Sequence, residues 1–283
     1  MCIRDSINTA NPHLPGGEQA QPYLDFLARA IGDAIDEARS KSTPTWITWG
    51  IGRCTLARNR DFWDESAQSF ACGFNPAGPQ DDTLMVGRAS SDDGDIQAVL
   101  FNYACHPTTL AWDNNLFSPD YIGAAREVVT SIYGAPALFM QGASGELGPR
   151  ESYVGDTAIA DRNGRQLGYA VASTMESLPP TGTTFVYEGL RKSGADLGIW
   201  SDQPLPDEAI ASASVLEAVK LTVPIDLADM PTLAELQASL AASDACNSAR
   251  VGMSARSIGT CLLYTSAAAD DLTCVDTGGR LII

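Results

Sequence analysis

The sequence predicts an α/β fold: a layered domain with a mostly buried mixed sheet flanked by helices, incomplete as the chain stands. Three observations carry this prediction. Some segments repeat apolar residues every three or four positions, others alternate or run continuously apolar, and the two kinds follow one another along the chain.

Tyr23, Phe26, Leu27, Ala30, Ile31, Ala34, Ile35 and Ala38 recur at helical spacing, with Asp25, Arg29, Asp33, Asp36 and Glu37 mostly on the other side, which predicts an amphipathic helix. "TWITWGIGR" (45–53), "TLMVGRA" (83–89) and "IQAVLFNYA" (96–104) are rich in β-branched and aromatic residues, and an Asp/Gly turn precedes the last; all three read as strands. Pro119 and Asp120 form a helix start signal, Ile122, Ala125, Val128, Val129 and Ile132 continue the period, and Gly134 ends it. "APALFMQ" (135–141) is a short, wholly apolar strand, of a kind usually covered on both faces. A helix over about 157–177 and a strand over 184–190 ("TFVYEGL") follow. "LPP" at 178–180 and the Pro-rich stretch at 203–206 mark either a lobe boundary or loops.

Length and charge bound the function. A chain of 283 residues holds one large domain or two small ones. Acidic residues exceed basic ones by 17, which repels phosphate backbones and anionic lipid surfaces and favours a small-molecule or neutral substrate over nucleic acid. No apolar run is long enough for a transmembrane segment, and no long apolar signal core opens the chain. Compartment and oligomeric state stay open.

The two ends read differently from the middle. "MCIRDS" (1–6) is the in-frame translation of ATGTGTATAAGAGACAG, the end sequence of a transposase-based sequencing adapter. "CLLYTS" (261–266) translates the reverse complement of the same adapter, and the residues after it follow the library primer with a few substitutions. Residues 1–6 and 257–283 are therefore expected to be adapter-derived, and 7–256 to be a natural partial domain. Of seven cysteines this leaves Cys54, Cys72, Cys105 and Cys246, with no CxxC pair; they read as buried small apolar residues rather than a zinc knuckle or disulfide framework.

Chemistry in open α/β sheets gathers where strands end. His106, one of two histidines, directly follows the strand 96–104, and Pro107 stops that strand while holding His106 extended. By residue type alone it is either a locally bonded structural histidine or a ligand presented from a stiff platform. In "FMQGASGELGPRE" (139–151), a strand runs into Gly142, Ser144 and Gly145, a tight turn whose backbone N–H groups suit a substrate loop. Glu146 stands where the nucleophile-elbow pattern G-x-S-x-G needs glycine, so Ser144 reads as a turn residue. Neither GxGxxG nor GxxxxGK[ST] occurs there, which argues against a nucleotide loop.

"NYACHPTTL", then "SPDYIGAA" (118–125), then "QGASGELGPRE" resembles the N-terminal catalytic domain of the neutral/alkaline, non-lysosomal ceramidase family, as found in bacterial ceramidase-like proteins. "LARNRDFWDE" (56–65) and "NPAGPQDDTLMVGR" (75–88) stand in the matching order, so the resemblance covers nearly all of residues 12–190. It implies a zinc-dependent amidase: Zn2+ held by two histidines, a glutamate and a tyrosine activates a water to cleave the amide of ceramide-like lipids, since zinc lowers the pKa of bound water to near ~7. His106 matches the ligand of the family's His-Pro-Thr element. Arg60 matches an arginine near the reaction centre, where a guanidinium steadies an oxyanion; a surface salt bridge fits it equally. Asp120 matches an acidic residue that orients a ligand or, as readily, caps the following helix.

The departures bear on activity. The family's His-Thr-His-Ser element is absent; "INTANP" stands in its place and His13 is out of register with it. The glutamate and tyrosine ligands belong to a part of the domain beyond residue 256, and the family's active-site serine falls on Gly148. The chain as written is thus expected to be inactive, with an incomplete ligand set. Two other readings stay open: a metallohydrolase acting on another amide or peptide, and a non-catalytic binding module with the same fold.

Overall fold

The computed structural model describes residues 17–215. Cys246, His13 and the two ends of the chain lie outside the described residues. The mixed sheet flanked by helices is the architecture observed. Four strands, β1 (Trp46–Arg53), β5 (Thr83–Ser90), β6 (Ile96–Tyr103) and β7 (Ala137–Gln141), form one sheet in the order β1-β5-β6-β7. β1, β5 and β6 pair antiparallel, whereas β7 runs parallel to β6 and is reached through helix α2 (Tyr121–Tyr133). Three two-stranded ribbons complete the strands: β2 (Ala57–Asn59) with β8 (Leu147–Pro149), β3 (Asp61–Asp64) with β4 (Ser69–Cys72), and β9 (Thr183–Ser193) with β10 (Ala195–Pro204). The remaining helices are α1 (Ala20–Ser40), α3 (Thr157–Glu176) and the short α4 (Asp207–Ala213).

One face of the sheet carries the core. Leu84, Val86, Val99, Phe101, Tyr103 and Ala137 alternate onto that face and pack against Tyr121, Ala125 and Val129 of α2 and Leu167, Val171 and Met175 of α3. The two helices touch closely because α3 offers glycine where they cross: a Cβ on Gly164 would stand 2.2 Å from the Tyr121 carbonyl oxygen. Both helices start on an aspartate cap. Asp156 accepts from Ala158 N at 2.9 Å, the usual N-cap bond. α2 ends on Gly134 in the left-handed region, where its N–H bonds the Thr130 carbonyl.

The strand 135–141 departs from expectation on its outer face. β7 is an edge strand, α2 covers only one side of it, and Leu138 is exposed on the other. α1 forms over the segment its spacing predicted but buries none of its residues. Of the Pro-rich stretch at 203–206, Gln203 and Pro204 end β10, and Leu205 and Pro206 connect it to α4. Cys54 and Cys105 are buried, as expected; Cys72 is not, because β4 is exposed along its length among the described residues.

Candidate functional site

The site is assembled where β6 ends. Tyr103 is the last strand residue and is fully buried; its hydroxyl donates to the Cys54 carbonyl and accepts from Ala57 N, both at 2.7 Å. This anchors the chain two positions before Cys105, which is itself held from above: Tyr121 Oη and Gln141 Nε2 donate to the Cys105 carbonyl at 2.5 and 3.0 Å. Burial, above all other influences, pushes the Tyr103 and Tyr121 phenols and the Cys54 and Cys105 thiols upward, so all four are neutral packing groups rather than nucleophiles.

His106 follows on this fixed base. Its backbone N donates to the Leu147 carbonyl at 3.0 Å, and its Nδ1 lies 2.6 Å from the Ser144 carbonyl oxygen. A carbonyl only accepts, so Nδ1 carries the proton, and in the neutral ring Nε2 is the basic nitrogen. A histidine whose Nδ1–H is tied to a backbone carbonyl is the arrangement that orients metal-ligating imidazoles.

The loop after β7 wraps this ring. Gly142 N donates to the Tyr103 carbonyl, and a Cβ there would meet the Ala104 backbone at 3.0 Å, so the loop lies flat on the end of β6 only because residue 142 is glycine. Ser144 is 1% exposed; its Oγ accepts from Gln141 Nε2 at 2.7 Å, and its carbonyl takes both the His106 ring and Leu147 N. Its role is to hold the turn. Arg60, beyond β2, reaches the same loop: its Nε donates to the Gly145 carbonyl at 3.0 Å and its backbone N to the Glu146 carbonyl at 2.8 Å. His106, Arg60, Gly142, Ser144 and Gly145 are thus gathered by one loop.

Asp120 is not at this loop. Its φ of 53° and ψ of −149° lie in a region that residues with a side chain rarely adopt, and three hydrogen bonds keep it there. Oδ1 accepts from Tyr121 N at 2.6 Å, Oδ2 from Leu110 N at 2.8 Å, and its own N–H donates to Ser118 Oγ at 3.1 Å. It caps α2 and ties the segment after His106 to that helix.

Four more residues join the site: Gly148, where the sequence places the family's serine position, and Thr108, Tyr153 and Cys72, to which the sequence alone assigns no role there. Gly148, opposite Arg58 in the β2–β8 register, would direct a Cβ toward Thr108 Oγ1 (3.5 Å), Ser152 Oγ (3.7 Å) and Arg60 Cδ (3.8 Å), so the position has room for a side chain. Thr108 is 7% exposed and its hydroxyl has no partner, a polar atom aimed at that space. Tyr153 N donates to the Thr108 carbonyl, and Tyr153 Oη lies 2.9 Å from Cys72 Sγ. Burial first, then the Cys72 contact, hold the Tyr153 phenol above its usual value, while Arg60 acts in the opposite sense. The "HPTT" run carried a signal for Thr108. Tyr153 and Cys72 carried none, being brought together across 81 residues.

As a metal centre the described residues are insufficient. Catalytic zinc takes three protein ligands, and no group of three or more His, Cys, Asp or Glu side chains is arranged to hold a metal among the described residues. His106 brings one imidazole to the site, protonated on Nδ1, and no second histidine stands beside it among the described residues.

No family model and no curated protein sequence matches the chain. Among solved structures it is similar to a ceramidase complexed with C2, at 16% identity and a TM-score of 0.42, over 58% of this chain and 29% of that one. It is likewise similar to the neutral ceramidase from Pseudomonas aeruginosa, at 17% identity and a TM-score of 0.40, over 54% of this chain and 27% of that one. The chain therefore spans less than a third of the length of either.

Proposed function

We propose that residues 7–256 are part of a ceramidase-like, zinc-dependent amidohydrolase whose substrate is a small-molecule or lipid amide, and that the chain as it stands is inactive. The observation that carries this reading is the imidazole of His106, set at a strand end with its Nδ1–H on the Ser144 carbonyl and Nε2 as the basic nitrogen. The motif order His-Pro-Thr, Ser-x-Asp-x-x-Gly and Gly-Ala-Ser-Gly supports the same reading. In the intact protein His106 contributes one zinc ligand, and Arg60, fastened to the loop beside it, supplies positive charge for an oxyanion. Asp120 acts by fixing the segment that follows His106.

Resequencing the source DNA before residue 7 and after residue 256, then assaying the corrected gene product, tests the proposal. The expected result is natural coding sequence that supplies the remaining ligands, and hydrolysis of an N-acyl sphingoid amide that a chelator or His106→Ala abolishes. Hydrolysis of acyl-peptides in preference to ceramide moves the proposal to another amide. Genomic confirmation of both present ends, with no metal-dependent hydrolysis, overturns it in favour of a binding module.

A further inference from the structure

A polar pocket of about 300 Å³ lies between the β2–β8 ribbon and the first turns of α3, apart from the His106 loop. Its walls hold three arginines, Arg58, Arg150 and Arg162, in a chain where acidic residues exceed basic ones by 17. Arg58 Nη1 is bonded to Gln80 Oε1, and the Arg150 guanidinium sits 5.9 Å from the centre of the Phe74 ring. Both partners orient their arginine without neutralising it. Among the described residues only Arg162 of the three has a carboxylate partner, Glu151, and that pair is half exposed on both sides and so weakly bound. Gln166, whose Nε2 reaches Thr55 Oγ1 at 3.3 Å, adds neutral hydrogen-bonding groups to the wall.

Three arginines and one glutamate among the lining residues give the wall a formal excess of two positive charges. Planar guanidinium forks match phosphate oxygens two at a time, and converging forks favour a dianion over a single carboxylate. We propose that this pocket binds a phosphate dianion, either free phosphate or a phosphate monoester at the end of a larger molecule. Glu151 competes with the ligand for Arg162 and is displaced when it binds.

Calorimetric titration of the full chain with inorganic phosphate, at ionic strength held constant with chloride, tests this directly. The expected result is saturable uptake at one site that weakens at least about tenfold in the Arg58→Gln/Arg150→Gln double variant. Glu151→Gln is expected to tighten binding severalfold, a change that loss of folding does not produce. Uptake also weakens as pH falls from about 8 to about 5.5, because the inorganic phosphate dianion gains a proton within that range and becomes a monoanion. Absence of saturable uptake, or an affinity unchanged in the double variant, overturns the proposal. So does weaker binding by Glu151→Gln. Sedimentation with phosphatidic acid vesicles separates the sources: co-sedimentation lost in the double variant assigns a lipid headgroup, and phosphate uptake without co-sedimentation assigns a soluble ligand.

Discussion

The two faces of the four-stranded sheet are built from similar residues and differ in what covers them. On the inner face Val86, Val99, Phe101 and Tyr103 are 0% exposed beneath α2 and α3, whereas on the outer face Ile47, Trp49, Ile51 and Leu138 are 51, 41, 75 and 49% exposed. The candidate site hangs from the inner face. Tyr103, buried there, bonds the Cys54 carbonyl and the Ala57 amide, and Tyr121 bonds the Cys105 carbonyl, so the end of β6 and the His106 that follows are fixed. Packing on one face thus translates into a fixed imidazole a few residues later, while the other face has no such consequence for the chemistry.

Mutations that treat the faces alike should have unlike effects. Phe101→Ala removes a buried ring between Val86 and Phe139, and is expected to cost about 3–5 kcal/mol in chemical denaturation. A cost below about 1 kcal/mol would mean that the inner face is not the core. Gly164→Ala pushes α3 off the Tyr121 carbonyl, and overpacking of that kind costs roughly 1–3 kcal/mol. Because Tyr121 also holds Cys105, the same variant should disturb the His106 ring signals in NMR.

Alkaline pH tests the inner face without mutation. Folding keeps these phenols protonated: the half-buried Tyr133 is raised to about 12 by burial and by its bond to Glu176, and burial raises Tyr103 and Tyr121 as well. Stability from these groups is therefore complete below the ordinary tyrosine value near ~10 and is lost as pH climbs through the folded values. Tyrosinate absorbance should lag behind that of a tyrosine peptide and then rise together with unfolding; early, independent titration of these tyrosines would contradict their burial. The smallest effect belongs to the outer face. Ile51→Ser should change stability by no more than about 0.5 kcal/mol yet raise solubility, since an exposed apolar sheet face promotes association.

The sequence was most legible where one residue type had a local job. Asp120 and Gly134 bounded α2 because a cap and a left-handed stop are local events. His106-Pro107 marked the end of β6 for the same reason, and Gly142 the turn after β7. The sequence pattern predicts only the first strand of the β9–β10 hairpin, although Ser193-Gly194 is a turn signal and Gly194 has a φ of 76°. Period-2 alternation cannot say which face meets a helix, so it does not predict the exposure of Leu138. The three-residue strands β2 and β8 are too short to announce themselves, and their pairing sets Gly148 beside Thr108 and Arg60 and shapes the wall holding Arg58.

The most direct measurement is the protonation of the two nitrogens of His106, read by proton–nitrogen correlation NMR on the full chain and assigned by loss of the signals in His106→Gln. One tautomer with the proton on Nδ1, persisting from neutral pH upward, is the predicted result. A proton on Nε2, or rapid averaging between the two nitrogens, would contradict the account, because the Ser144 carbonyl would then not be holding the ring in the orientation a metal ligand needs.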